Sequence, residues 1–134
     1  MPRNTLKNTE KSFLLYEEEL TYRIRGCVYE VYKELGAGFL EQVYQTALMK
    51  EFSLQGIAAE RQVPFDVKYK NVVVGKYIAD MIVENKVIIE LKAQEKILGA
   101  YEAQLINYLK ASGLRIGLLV NFCYPKAVIK RIVN

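Results

Sequence analysis

The chain has 134 residues, 51% hydrophobic and 25% charged, which is the make-up of one globular domain rather than a disordered chain. Its net charge of +4 permits a polyanionic partner through long-range attraction without requiring one. It contains no histidine, which excludes Ser-His-Asp and Cys-His catalysis, histidine zinc sites and histidine phosphotransfer. Carboxylates, lysine, amides and tyrosine are left to carry any chemistry, a set suited to a hard, oxygen-liganded cation.

Residues 1–11 (MPRNTLKNTEK) are polar and aperiodic and are expected to form a mobile tail, with a single domain over 12–134. The short apolar run from Phe13 to Tyr16 is cut off by Glu17-Glu18-Glu19, so it makes no signal peptide. No stretch approaches the roughly 20 apolar residues that span a bilayer. The expectation is a soluble cytoplasmic protein with no membrane partner.

Apolar residues then recur at helical spacing (Leu20, Ile24, Cys27, Val28, Val31, Leu35), predicting a helix from about Glu17 to Leu35 that Gly36-Ala37-Gly38 stops. A second helix is expected from about Leu40 to Leu54. After Gly56 the pattern turns to strands. Val63, Phe65, Val67 and Tyr69 alternate with polar positions, and Pro64 marks this strand as an edge. Lys70-Asn71 reads as a turn, and two further strands, Val72–Val83 and Lys86–Leu91, flank Glu84-Asn85-Lys86. A third helix covers about Ala100 to Ala111. The near-continuous apolar run Ile116–Phe122 predicts a strand covered on both faces, and Ala127–Val133 alternates again. The order is ααβββαββ, an α/β or α+β fold with a mixed central sheet. Cys27 and Cys123 lie among apolar neighbours at no metal-ligand spacing and read as buried reduced thiols.

Glu90 and Lys92 sit two apart on a strand, so they share one face at about 6–7 Å. Their neighbours Val87, Ile88, Ile89 and Leu91 are apolar, and charge in such company is costly unless something offsets it. A three-residue loop at Glu84-Asn85-Lys86 pairs Val83 with Val87 and sets Asp80 opposite Glu90, with Cβ atoms about 5 Å apart. A two-residue loop would set Asp80 opposite Ile89 instead; the first register is preferred. Two facing carboxylates repel, and Mg²⁺ held by both, with water and phosphate oxygens in its other positions, would relieve them. Lys92 would then orient or deprotonate an attacking water, or offset charge on a phosphate. From spacing alone, a surface Asp80–Lys92 ion pair explains the triplet equally well.

Further segments accompany the triplet. Gly36-Ala37-Gly38-Phe39-Leu40-Glu41-Gln42-Val43-Tyr44 resembles the signature of the GxxExxY family, starting from its second glycine. Ala79-Asp80, Ile89-Glu90-Leu91-Lys92-Ala93, Ala103–Leu109 and Gly117–Phe122 look like that family's later blocks, in order, and the resemblance covers about residues 20–134. It implies the PD-(D/E)XK nuclease superfamily and a restriction-endonuclease-like core, a mixed sheet flanked by helices. Carried over by motif, Asp80 and Glu90 would be metal ligands, Glu41 a further acidic residue at the metal or its water, and Lys92 the catalytic lysine. Gln104 and Tyr108, four apart on one helical face, match the superfamily's Q-x-x-x-Y variant and would position a phosphate or the lysine. Tyr44, three residues on from Glu41, reads by itself as a helix-packing residue, and its functional reading is as a substrate-binding one. Glu41 in isolation also reads as a helix N-terminal acid, Gln104–Tyr108 as a solvated pair, and Lys126, Lys130 and Arg131 as a solvated strand face or phosphate contacts. Ala79 stands where the superfamily has its naming proline, Tyr32 where the family has a histidine, and Ile78 where it has an arginine.

The function expected is Mg²⁺-dependent phosphodiester hydrolysis, with Mn²⁺ as a substitute and DNA ahead of RNA as substrate. The alternative is a catalytically silent nuclease-fold module that binds nucleic acid or a protein. Ten tyrosines would also furnish a homo-oligomer interface.

Overall fold

The computed structural model describes the backbone of residues 8–134, with side chains described at Asn8 and from Glu17 onward. Helix α1 runs Asn8–Leu35 and α2 Glu41–Leu54; β1 (Ala59–Tyr69), β2 (Val72–Val83) and β3 (Val87–Lys92) follow, then α3 (Gly99–Ser112), β4 (Ile116–Asn121) and β5 (Val128–Val133). The order is the expected ααβββαββ. The N-terminus differs, because α1 begins within the stretch expected to be a tail; residues 1–7 lie outside the described residues.

The five strands form one mixed sheet in the order β1-β2-β3-β4-β5. Only β3 and β4 are parallel, joined by the crossover through α3, whereas the other neighbours are antiparallel. Pro64 lies on β1, an edge strand, where proline is tolerated. β4 is buried at every residue, as its unbroken apolar run requires.

Two cores lie on opposite faces of the sheet. One joins Leu20, Ile24 and Val28 of α1 and Leu48 and Phe52 of α2 to Met81, Val83, Ile89 and Leu118. The other joins Leu105 and Leu109 of α3 to Tyr77, Ala79, Ile88 and Leu119. Here α3 lies so close to β4 that a Cβ on Gly117 would stand 2.9 Å from Leu105 Cδ1, so any larger residue would have to push the Leu105 side chain aside. Cys27 and Cys123 are buried free thiols. No helix among the described residues is long and apolar enough to cross a membrane.

β2 serves both cores. Tyr77 and Ala79 pack with α3, yet Met81 and Val83 pack with α1 and α2. Strict alternation would send Ala79, Met81 and Val83 to one face, so the strand changes face at Asp80. β1 does the same, since Ala59 joins the first core and Val63 the second. Its pairing steps from Arg61↔Met81 to Val63↔Ala79, and the residue between, Gln62, has a left-handed φ of 52°.

Candidate active site

The hairpin between β2 and β3 sets the site. Glu84 and Asn85 both take positive φ (53° and 56°), and Lys86 N–H donates to the Val83 carbonyl at 2.9 Å. These are the dihedral signs of a type I′ turn, which alone would suggest a two-residue loop. Lys86 joins the loop, however, and Val83 pairs with Val87 and Met81 with Ile89, the register preferred from sequence. The backbone ladder ends there. Beyond it Asp80 N–H donates to Glu90 Oε1 at 3.3 Å, and Leu91 N–H donates to Asp80 Oδ2 at 2.8 Å. Two carboxyl groups therefore stand in for the next rungs of the ladder.

Glu90 is buried and its pKa is pushed up to about 9, first by burial, then by the Asp80 charge and a carboxyl–carboxyl hydrogen bond that keeps the proton; Asp80 N–H and Lys92 oppose the rise. Glu41, in the first turn of α2, lies within electrostatic reach of both groups. Burial raises its pKa, Lys92 lowers it and Asp80 raises it. Asp80, Glu90, Lys92 and Glu41 thus converge at the C-terminal end of β3. Among the described residues no three Asp, Glu or Cys side chains close into a ready metal cage, so Glu41 stands beside the Asp80–Glu90 pair rather than within it. The pair itself fits a hard divalent cation, as two oxygen donors whose repulsion is relieved only by a proton or a cation.

The segment carrying Lys92 is held from several sides. Phe122 N–H donates to the Lys92 carbonyl at 2.9 Å. Buried Asn121 accepts from Gln94 N–H and donates to Gln94 O, both at 2.9 Å. The ammonium sits 4.3 Å from the centroid of the Tyr101 ring, whose hydroxyl donates to Gln94 Oε1. Sequence reasoning assigned no role to Tyr101 or Asn121. A polar Asn ending a fully apolar strand was the available signal.

On α3, Gln104 is exposed and its side chain hydrogen-bonds Tyr108. Burial and then the charge of Glu90 raise the Tyr108 pKa, which puts this tyrosine next to the acidic pair and Gln104 one step further out. Tyr108 stacks on Tyr77 with centroids 3.3 Å apart, and the Tyr77 hydroxyl is buried with no hydrogen-bond partner among the described residues.

Tyr44 corrects an expectation. It is fully buried; its hydroxyl donates to Gly36 O at 2.5 Å and accepts from Phe39 N–H at 3.2 Å, and its ring stacks on Phe122 with centroids 4.2 Å apart. With both faces of its hydroxyl committed it has nothing to offer a substrate. It fixes the glycine loop that delivers Glu41, where Gly36 and Gly38 take φ of 68° and 110°. Tyr32 likewise serves the fold, donating to the Cys123 carbonyl at 2.8 Å, and Lys130 pairs with Glu102 at 2.9 Å.

No curated protein matches the sequence. Among solved structures, the crystal structure of SSO0001 superposes with a TM-score of 0.57 at 21% identity, over 69% of this chain and 49% of that one. The chain thus spans about half the length of that protein, and the likeness is one of fold. The family model for the PD-(D/E)XK nuclease superfamily matches residues 18–132, nearly the whole chain and every site residue described above. The chain belongs to the PD-(D/E)XK nuclease superfamily.

Proposed function

We propose that this chain is a divalent-metal-dependent nuclease of the GxxExxY group that hydrolyses phosphodiester bonds, with Mg²⁺ as the ion and DNA ahead of RNA as substrate. The observation that carries this reading is the Asp80–Glu90 pair, half-buried Asp80 against buried Glu90, which holds two carboxyls in contact beside a lysine. Asp80 and Glu90 would hold the ion, with Glu41 at one of its waters. When bound, a divalent cation supplies Lewis-acid stabilisation of the phosphate and a more acidic water.

The chain's own groups do the rest. Lys92 brings positive charge to the scissile phosphate and offsets what develops there. The Tyr101 ring and the Asn121–Gln94 bonds limit where its ammonium can move. Tyr108, steadied by Gln104, directs a hydroxyl toward the same end of β3. Glu41, whose pKa burial raises against the pull of Lys92, can hold a water by hydrogen bonding in either protonation state.

A second reading, a module that binds without cutting, rests on the same pair, because a Glu90 that keeps its proton holds no cation. One experiment decides between them. Labelled single- and double-stranded DNA and RNA are incubated with the protein and Mg²⁺ or Mn²⁺, beside a Lys92→Ala control. Cleavage above that control supports the nuclease. Cleavage at the control level on every substrate, with nucleic-acid affinity insensitive to Asp80→Asn and Glu90→Gln, supports the module.

A further inference from the structure

We infer that the free end of the β1–β2 ribbon is a contact arm for duplex nucleic acid, extending the candidate active site toward a groove of the duplex that would be cut. The inference rests on the nuclease reading and names the strandedness of its substrate.

The ribbon outruns the sheet. β1 and β2 pair from Ala59↔Val83 to Tyr69↔Val72, but β3 pairs with β2 only over Met81–Val83. Beyond Asp80, which still bonds to β3 through the two carboxyl groups, β2 pairs with no strand on its other side. Because β3 runs antiparallel to β2, this free end projects past the end of β3 that carries Glu90 and Lys92. Val72 lies eight positions before Asp80 along the strand, about 26 Å at 3.3 Å per residue. That is less than one turn of B-DNA, about 34 Å, and a two-stranded ribbon fits a major groove about 12 Å wide.

The root is anchored and the tip is not. Phe65 stacks on Tyr77 and Tyr77 on Tyr108, tying the root to α3. Beyond it Val72, Val73 and Val74 are exposed on both faces of the ribbon, Val72 at 61% and Val74 at 60%. A two-stranded ribbon with no core is marginal in water. β-Branched residues, stiff at χ1, and a turn with φ of 48° and 68° at Lys70 and Asn71 keep this one extended without one.

The charge on the arm fits a polyanion. Lys76 is matched by Asp66 at 3.7 Å, whereas Lys68 and Lys70 make no ion pair among the described residues. Lys68 and Lys110 of α3 line one groove of about 590 Å³, together with Asn107 and with Asp66, whose charge Lys76 offsets. A positive strip thus runs from α3 onto the arm. Single strands are gripped by flat exposed aromatic rings, and the tip offers only Tyr69, with Lys70 5.3 Å from its ring centroid. Aliphatic stiffness with lysines suits a groove and its phosphates better.

The test measures binding without cutting. The full chain in EDTA is titrated into a fluorescein-labelled 20-base-pair duplex and into a single strand of equal length, following anisotropy from low to moderate salt. Lys68→Gln/Lys70→Gln is expected to weaken duplex binding about tenfold and to lower the salt slope by about two, one for each phosphate no longer neutralised. Affinity and slope unchanged, equal weakening on the single strand, or no duplex binding by the unaltered chain would each overturn the arm. So would a dimer seen by light scattering that Val72→Asp/Val74→Asp dissociates with duplex affinity untouched, since the surface would then belong to a second copy. Lysine-dependent duplex binding with no cleavage under any metal sinks the nuclease reading alone. Cleavage with arm-independent binding sinks the arm alone.

Discussion

Asp80 and Glu90 bridge the gap between β2 and β3 reciprocally, Glu90 accepting from the Asp80 N–H and the Asp80 carboxylate accepting from the N–H of Leu91, next to Glu90. Each carboxyl takes the place of a missing backbone carbonyl, so the site is built into the sheet's own hydrogen bonding. Removing either one disturbs both charge and strand spacing.

The amide substitution Glu90→Gln separates those two effects. It preserves the acceptor for the Asp80 N–H and removes the buried acid, so at pH 8 in EDTA it is expected to raise Tm by about 3–6 °C. Nuclease activity should fall by at least about 100-fold in the same variant, and about as far in Lys92→Ala. Calorimetry beside a cleavage assay checks the pair of outcomes. A Glu90→Gln protein that is both less stable and fully active would contradict them.

The pH dependence follows from the same carboxyl. Glu90 keeps its proton in the folded chain up to about pH 9, whereas an ordinary glutamate loses it near 4.5. Unfolding then releases a proton throughout that window, so stability without metal falls as pH rises from about 4.5 and levels off above about 9. Urea titrations of the unaltered chain and of Glu90→Gln at half-unit steps isolate the effect, since the difference between them should grow with pH. A divalent cation should flatten the curve, and Mn²⁺ at about 100 times its Kd adds about 2.7 kcal/mol.

Tyr44 predicts a contrast between two substitutions. Tyr44→Phe keeps the Phe122 stack but frees Gly36 O and Phe39 N–H, costing about 1–3 kcal/mol. Because the loop leads directly to Glu41, activity should drop further than the loss of folded protein accounts for. Tyr44→Ala also opens a cavity and should cost about 3–5 kcal/mol. Denaturation midpoints and kcat measured on the same preparations test this.

At Gly117 a methyl group would meet Leu105 from above. Gly117→Ala should destabilise by about 1–3 kcal/mol through overpacking. Adding Leu105→Val should recover part of that loss, a non-additive pair that a double-mutant cycle in urea would reveal.

The sequence carried much of this site because its strongest constraints are local. Alternation placed Glu90 and Lys92 on one face, and counting back across a short hairpin brought Asp80 to Glu90; the observed pairing of Met81 with Ile89 fits that register, and beyond it the two residues meet through their carboxyl groups rather than as a ladder pair. The edge position of Pro64 and the two-sided burial of β4 were legible for the same reason. What pattern could not reach was long-range contact. Tyr101 beneath Lys92 depends on how the loop after β3 enters α3, and Asn121 clasping Gln94 on the whole crossover through α3. Tyr44 stood between packing and substrate contact because a signature residue looks the same whether it touches a substrate or braces the loop beside it; its burial decides for packing. The face change at Asp80 was invisible too, since it depends on Gln62, a residue of the neighbouring strand held at positive φ.

That face change meters the chain. Tyr77 and Ala79 are indexed by one core, Met81 and Val83 by the other, so Asp80 is counted into place from both directions. A single-residue insertion or deletion on either side would rotate one set of side chains out of its core. Past Tyr77, toward the exposed turn at Lys70-Asn71, no core counts residues. There the hairpin can be lengthened or trimmed in pairs while the aspartate keeps its address.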